Sequence, residues 1–398
     1  MAVDLSPLKS AEPSSPTSPM RSSLKKLFFD SASAGSLPSA IVLYVCASVD
    51  TGVLALPYAF KEAGPLPALL LLFLAGILSL ATGLMLARAA VYTNKDTYGN
   101  LLVWALTDSE HVNFNQRKTL ILNVFNTCLT IFEVAASGSY FVYMADFLSD
   151  IFPDTFSYVT RDFYIYVPSI FVAATLSRTD KLQGFATYSK LSVLAVLLTV
   201  VTCVFESESL KERETVPPPP REQGSWPQLC RTFSICLYSF LNHINSVTIS
   251  SGMQQPTFKR QLFALSAHTL ILFLIYAVLG LAVYSMFYGE TQTDFLYNYP
   301  GNCWLISFCE VFLSGMLFVA CILALFPVVS AILSTLHRYK YDITTRVRVV
   351  TSFCLVFTCA TCAVVATNVA NYIAILTSLL GTPIMFACPG EKYLFDSR

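Results

Sequence analysis

Ten long apolar stretches, separated by polar connections, organise the chain after about residue 37. They run over residues 40–60, 66–87, 120–145, 163–176, 185–205, 233–251, 262–288, 304–333, 349–370 and 372–387. Most have the length that an α-helix, rising 1.5 Å per residue, needs to cross a hydrocarbon layer of about 30 Å. The pattern therefore predicts an all-α, multi-pass membrane protein with about ten transmembrane helices.

The first apolar segment contains residues that a simple anchoring helix does not need. Its centre reads ASVDTGVLALPYAFKEAG over residues 47–64 and includes Asp50, Gly52 and Pro57. A carboxylate in hydrocarbon is costly and indicates a functional site, while Gly and Pro let a helix open so that freed backbone groups face a ligand. An interrupted first helix is typical of a transporter's binding site. The alternative is a kinked structural helix in which Asp50 bonds to a neighbour.

The sixth segment carries a second polar interruption, from Tyr238 through Asn242 and His243 to Asn245. This stretch is too polar for a helix that faces lipid, so we expect a second broken helix here. His243 has an environment-sensitive charge and would bind substrate, relay protons or sense pH. A bundle-interior histidine bonded to a backbone carbonyl is the alternative interpretation.

A polar linker over residues 206–228 divides the ten segments into two sets of five. We therefore predict a disordered cytoplasmic tail over residues 1–36, helices 1–5 over 37–205, the extracytoplasmic linker, helices 6–10 over 229–390, and a cytoplasmic C-terminus over 391–398. An inverted repeat of five plus five helices would place a binding site between segments one and six.

Composition and charge narrow the class of protein further. The chain has 398 residues, of which 55% are hydrophobic and 13% are charged, whereas a soluble domain is about a quarter charged. Most Lys and Arg residues fall in the connections that would share a side with the N-terminal tail, which predicts cytoplasmic termini. The formal net charge is zero, so we expect no nucleic-acid partner. We expect the protein to be surrounded by membrane lipid and to be a monomer.

Enzyme and cofactor chemistry are not indicated. The sequence contains no HExxH or GxSxG motif, and its paired cysteines lack the partners of a zinc site. We expect neither a metal nor a cofactor. Cys230 and Cys303 fall at the outer ends of two segments, where they would form either a disulfide or two lone thiols.

Three further ionisable residues are embedded in the apolar segments: Glu133, Lys190 and Glu310. Unpaired charges there are costly, so we expect pairing or neutralisation. Lys190 lies roughly 10 Å deep, from which it could also extend its ammonium to the interface. Tyr140 could offer its hydroxyl to a ligand or bond to a buried carbonyl.

Several motifs resemble the amino acid/auxin permease family, in particular its animal neutral amino acid transporter branch. The motifs are TGVLALPYAFKEAG (51–64), TYGNLL (97–102), SGSYFVYMAD (137–146), FLNHINSV (240–247), LFPVVSAIL (325–333) and LLGTPIMFACPGEKYL (379–394). The resemblance implies the LeuT-type five-plus-five inverted repeat with broken helices 1 and 6. The family usually has an eleventh helix, which we expect to be absent here.

The resemblance also implies secondary active transport of an amino acid by alternating access. Backbone groups around Thr51 and Gly52 would meet the substrate carboxylate, and carbonyls from Ser239 to Asn242 would meet its amino group. Half-helix ends favour these opposite charges. Asp50, Tyr140 and His243 complete the expected substrate site.

The motifs depart from the family where sodium would bind. Cys46 and Ala320 fall where the family has oxygen-bearing side chains, and Asp50 replaces a glycine. Sodium is a hard cation that prefers oxygen ligands, so we expect proton-coupled or sodium-independent transport in preference to sodium coupling. Lys190 resembles a fifth-helix lysine that replaces sodium in some transporters of this fold.

Proton or ion coupling is therefore expected to involve Asp50 and Lys190, with Glu133 and His243 as further candidates. A competing use of Asp50 is to hold the cationic side chain of an Arg or Lys substrate. The alternative function is a membrane amino acid sensor or facilitator with little active transport. The expected membrane is the plasma membrane or an acidic endomembrane such as a vacuole or lysosome.

Overall fold

The computed structural model describes residues 35–95, 98–107, 114–152, 161–179, 186–211, 224–299, 303–338, 340–365 and 368–384. These ranges are almost wholly helical and contain no β-strand. Most of the predicted tail, residues 212–223 of the linker, the predicted C-terminus and the side chain of Lys190 lie outside the described part of the chain.

The helices follow the predicted apolar segments in order, with one additional short helix over residues 98–107 between the second and third segments. They are α1 (Leu37–Ser48), α2 (Gly52–Ala63), α3 (Pro65–Thr93), α4 (Tyr98–Thr107), α5 (Phe114–Ile151), α6 (Arg161–Arg178), α7 (Ala186–Lys211), α8 (Trp226–Ser239), α9 (His243–Ser251), α10 (Phe258–Phe287), α11 (Trp304–Arg338), α12 (Thr345–Val365) and α13 (Val369–Leu376). Short 3-10 turns cover Tyr288–Glu290 and Phe295–Asn298, and a π-helical turn covers Thr377–Gly381.

Five of the described helices, α3, α5, α10, α11 and α12, are long and apolar enough to cross a membrane. The pair α1 and α2 forms a sixth candidate, bent by 62° at its break. Large apolar side chains such as Leu66, Leu70 and Phe73 are exposed on α3, as expected where a helix meets hydrocarbon. The all-α, multi-pass prediction is confirmed, while the count of ten crossings stays a prediction.

The first helix breaks because its central residues leave helical geometry. Val49 is extended, with φ −81° and ψ 104°, and ends α1. The side chain of Asp50, one residue before the N-cap Thr51, then accepts the backbone N–H of Gly52, the first residue of α2, at 2.8 Å. The predicted break in the first helix is therefore confirmed.

The sixth helix breaks over residues 240–242, between α8 and α9. Phe240 and Asn242 leave the helical region, with φ −105° and −130°. This second predicted break is also confirmed. The two broken pairs lie in the centre of the molecule, where α2 packs against α8 and α10 packs against α1 and α2.

Gly52 lets α2 and α8 approach closely. A Cβ added at Gly52 would lie 2.7 Å from Ser239 Oγ and 2.9 Å from Ser239 Cα, both closer than ordinary van der Waals contact. Small residues serve this purpose at helix contacts in membranes. The glycine therefore fixes the distance between the two half-helices that meet at the breaks.

Candidate functional site

Backbone carbonyls freed at the two breaks are held by hydroxyls on neighbouring helices. Tyr276 on α10 donates its O–H to the carbonyl of Ser239 at 3.0 Å and lies 3.4 Å from that of Ser48. Ser79 on α3 donates to the carbonyl of Phe240 at 2.9 Å. Because polar backbone groups cannot remain unpaired at membrane depth, these bonds make the two breaks tolerable.

Two buried histidines brace the same region. His243 Nε2 lies 2.7 Å from Thr82 Oγ1 on α3. His268 Nε2, on α10, lies 2.8 Å from Ser48 Oγ and 3.4 Å from Asn242 Nδ2, so it connects the end of α1 with the break in the sixth helix. Sequence reasoning missed His268, although a histidine inside the seventh apolar segment is a signal that could have identified it.

A cavity of about 580 Å³ lies between the breaks and helices α5 and α11. Its polar lining residues within the described ranges are Ser39, Asp50, Glu133, Tyr140, Tyr238, Asn242, Asn245 and Thr248. It continues along α1 and α9 to Gly35, Gly252 and Met253. This is the size and mixed polarity of a small-molecule site.

The opposite end of the broken helices is closed. Arg231 Nη1 on α8 donates to Glu62 Oε2 on α2 at 2.7 Å. Nearby, Lys61 Nζ donates to the carbonyl of Thr291 at 3.0 Å, and Thr232 Oγ1 donates to that of Ala59 at 3.1 Å. Among the described residues, the cavity therefore reaches exposed positions near the start of α1, at Thr248 and Gly252, and is closed toward the end of α2.

Two carboxylates face this cavity. Asp50 lies at its inner end, where its Oδ1 holds the amide of Gly52 at 2.8 Å. Glu133 on α5 is 7% exposed and makes neither a hydrogen bond nor an ion pair with a residue that the structure describes. No Lys, Arg or His is among the described residues that line the cavity. The lining is thus acidic.

The structure divides the predicted substrate residues into two groups. Asp50, Tyr140 and Asn242 line the cavity, together with Glu133. Four others lie behind its wall: Thr51, Gly52, Ser239 and His243.

Those four residues bond or pack against neighbouring elements. Thr51 Oγ1 lies 2.9 Å from Ser139 Oγ on α5, and Ser239 Oγ donates to the carbonyl of Ile235. Gly52 packs on Ser239, and His243 bonds to Thr82. These four residues therefore stabilise the helices that form the cavity wall, and they do not line the cavity themselves.

Sequence reasoning did not select Tyr238, Asn245 or Thr248 as site residues, although all three line the cavity. Tyr238 and Asn245 begin and end the polar stretch of the sixth segment that predicted the second break, and Thr248 follows three residues later. The stretch was the available signal, but which of its side chains turn toward the cavity depends on how α8 and α9 are rotated. That rotation is a property of the packed bundle.

Two of the positions where the family would bind sodium lie at the cavity. Cys46 and Ala320 both line the cavity, so thiol and methyl groups are present there. Within the described residues, no group of three or more His, Cys, Asp or Glu side chains could hold a metal ion. Glu310 is buried on α11.

Cys230 and Cys303 are free thiols, which corresponds to the second of the two alternatives for that pair.

A comparison with solved structures defines the class of protein. The chain superposes on MhsT, a structure solved in complex with L-phenylalanine, with a TM-score of 0.57 over 89% of this chain and 88% of that one. The two sequences are 14% identical, so the likeness concerns the fold alone. The protein therefore has the LeuT-type fold of multi-pass helices with broken first and sixth helices.

The sequence assigns the family. Residues 33–395 match the family described as transmembrane amino acid transporter protein, and the chain belongs to this family.

Curated relatives share this family resemblance at low identity. The protein named as amino acid transporter AAT1 of Plasmodium berghei is 25% identical over 73% of this chain and 45% of its own length. Its namesake of Toxoplasma gondii is 26% identical over 78% of this chain and 42% of its own length. A Bos taurus protein named for sodium-coupled neutral amino acid transport is 24% identical over 68% of this chain and 57% of its own length. The chain thus spans less than two thirds of each relative's length.

Proposed function

We propose that this chain is a secondary active amino acid transporter that works by alternating access. The observation that carries the proposal is the central cavity between the two helix breaks. Among the described residues it is open at one end, and the Arg231–Glu62 ion pair closes the other. A carrier of this kind opens one end of a fixed site at a time. The names of the family and of the three relatives support an amino acid as substrate.

We further propose sodium-independent, proton-coupled transport. The side chains of Cys46 and Ala320 at the cavity supply no oxygen ligand for sodium. Asp50 and Glu133 face the cavity without a cationic partner among the described residues, and intramembrane carboxylates of this kind commonly carry protons in transporters. The name of the Bos taurus relative, at 24% identity, makes sodium coupling the competing outcome.

The membrane and its sidedness belong to the same proposal. With the N-terminus in the cytoplasm, as the distribution of Lys and Arg favours, the open end of the cavity faces the cytoplasm. The Arg231–Glu62 pair then closes the extracytoplasmic side. Proton coupling suits the plasma membrane or an acidic organelle.

The test is uptake of a labelled amino acid mixture into liposomes that contain the purified protein, under an imposed sodium or proton gradient. Uptake driven by the proton gradient supports the proposal, and uptake driven by sodium overturns its coupling part. Amino acid binding without flux under either gradient would favour the sensor or facilitator. A Lys190→Met variant should uncouple uptake from the proton gradient, and unchanged proton-driven uptake in it would remove Lys190 from the mechanism.

A further inference from the structure

The start of α2 already holds a carboxylate that belongs to the chain. A helix N-terminus favours anions because its first amides are unpaired and its dipole is positive. Here Asp50 Oδ1 accepts the N–H of Gly52 at 2.8 Å. The place at the break that suits an anionic group is therefore occupied by Asp50.

Packing also fills the side of Gly52 from which a side chain would project. A Cβ added to Gly52 would lie 2.7 Å from Ser239 Oγ and 3.0 Å from Tyr238 Cδ1, so no ligand group fits on that side of the residue. A substrate carboxylate would have to displace Asp50 to reach the Gly52 amide. That exchange would leave Asp50 charged and without its hydrogen bond.

The rest of the cavity also disfavours an anion. Glu133 contributes a second carboxylate from α5, and no basic side chain lines the cavity in the described ranges. Tyr140, Tyr238 and Asn242 offer neutral polar groups. Phe132 adds an aromatic side chain, of the kind that attracts a cation over its face. Charge complementarity in such a site favours a positive ligand.

We propose that this cavity selects small dications, with one cationic group held at Asp50 and a second at Glu133. The inference rests on the proposed transport function and names its substrate class. Basic amino acids carry two such groups, and the amines formed by removing their carboxyl group carry the same two without the anion. The α-carboxylate is accordingly dispensable, and the decarboxylated amine binds at least as tightly as its parent.

The experiment is equilibrium binding to the purified full-length protein, measured at pH 7.5 with matched ligand pairs. The pairs are lysine with cadaverine, arginine with agmatine, and leucine with isopentylamine. We expect cadaverine and agmatine to bind at least as tightly as lysine and arginine, and all four to bind at least tenfold tighter than leucine. Uptake of the same six compounds into liposomes is measured in parallel.

Two isosteric variants test the assignment of the two groups. Asp50→Asn keeps the oxygen that caps Gly52, and Glu133→Gln keeps the shape of the side chain, so both preserve the packing. Each removes one charge-assisted contact and should weaken dication binding by roughly tenfold to a hundredfold. Asp294→Asn removes a buried carboxylate outside the cavity and serves as the matched control, with binding unchanged.

The possible results distinguish a failure of dication selectivity from a failure of the proposed transport function. Tighter binding of leucine than of cadaverine, or dication binding that is insensitive to both cavity variants, overturns the inference and leaves amino acid transport standing. Absence of binding and of uptake for all six compounds overturns the inference and the proposed function together.

Discussion

Glu62 and Glu133 are both largely buried carboxylates, yet their surroundings differ. Glu62, at the closed end, has a side chain that is 9% exposed and lies 2.7 Å from Arg231 Nη1. Glu133, in the cavity, is 7% exposed and has no cationic partner among the described residues. A buried glutamate therefore has a cationic partner at the closed end, and in the cavity it has none among the described residues.

This difference separates a structural acid from one that is available to a ligand. A buried charge without a partner is destabilising, and an ionisable residue inside a membrane bundle commonly marks a functional site. At the closed end the partner is already present, and the acid helps to join α2 to α8. In the cavity none of the described residues supplies a cationic partner, and a proton or a cationic substrate could take that place.

The largest effect is expected from Gly52→Ala, which would disturb both regions because Gly52 sets the spacing of α2 and α8. The added methyl would meet Ser239 Cα at 2.9 Å, and overpacking of this kind destabilises by about 3 kcal/mol. Thermal unfolding in detergent measures the loss. Gly315→Ala is the control, since no atom lies within 4 Å of its added methyl; equal losses in the two variants would contradict the packing argument.

Arg231→Gln should remove the feature that distinguishes Glu62 from Glu133. It leaves a buried carboxylate unpaired, and because Arg231 is about a third exposed we expect a loss of about 2 kcal/mol, below that of a fully buried pair. The double variant with Glu62→Gln should recover part of this loss. The double-mutant cycle is measured by thermal unfolding, and strictly additive losses would mean that the pair is not coupled.

Glu133→Gln should act in the opposite direction from Glu62→Gln. Neutralising a buried acid that has no partner relieves a desolvation penalty, so we expect the ligand-free protein to gain about 1 kcal/mol of stability at pH 7.5. Glu62→Gln, which loses the contact with Arg231, should instead be less stable than the wild type. The two variants are compared by thermal unfolding, and a loss of stability in Glu133→Gln would indicate a partner for that carboxylate.

The smallest and most pH-dependent change in stability is expected from a substitution of Asp294. It lies in the loop before α11, where its Oδ1 accepts the N–H of Leu296 at 3.1 Å and its Oδ2 is buried without a partner among the described residues. Burial raises the pKa of Asp294 well above its usual range, and the carboxylates of Asp146, Glu310 and Asp150 raise it further. The folded protein therefore holds this proton more tightly than the unfolded chain.

Stability contributed by the protonated Asp294 is fully present below its ordinary pKa, about 3.9, and is lost as the pH rises toward the raised folded pKa. Asp294→Asn removes this dependence. Between pH 5 and pH 8 we expect the free energy of unfolding of the variant to rise by roughly 0.5 kcal/mol relative to the wild type. The limit for one proton is about 1.4 kcal/mol per pH unit, and the change stays below it because neighbouring acids titrate in the same range. A constant difference across that range would contradict the assignment.

The positions of the helices and of their breaks were predictable because they follow from local chemistry. Apolar runs of membrane-spanning length specify helices, since only hydrogen-bonded backbone is stable in hydrocarbon. Asp50 and Gly52, and the polar stretch from Tyr238 to Asn245, marked the two breaks for the same reason. Asp50, Tyr140 and Asn242, three of the residues predicted to bind substrate, line the cavity, and their role stays a prediction.

Other parts of the site depended on distances between segments far apart in sequence. The contact of His268 with Ser48 spans 220 positions, and the pairing of Arg231 with Glu62 spans 169. Neither contact has a local signature. Likewise, the contacts of the Thr51 side chain with Ser139 and of the His243 side chain with Thr82 could not be read from the sequence.

The sequence by itself determined that this protein is a bundle of membrane helices with two interrupted spans and an acid at the first interruption. Periodicity, helix-breaking residues and the cost of burying charge are local properties that the chain carries at every position. Only the tertiary structure decided that Glu62 meets Arg231 while Glu133 faces an acidic cavity. Which side of a helix turns inward, and what it meets there, is set by the packing of all the helices together.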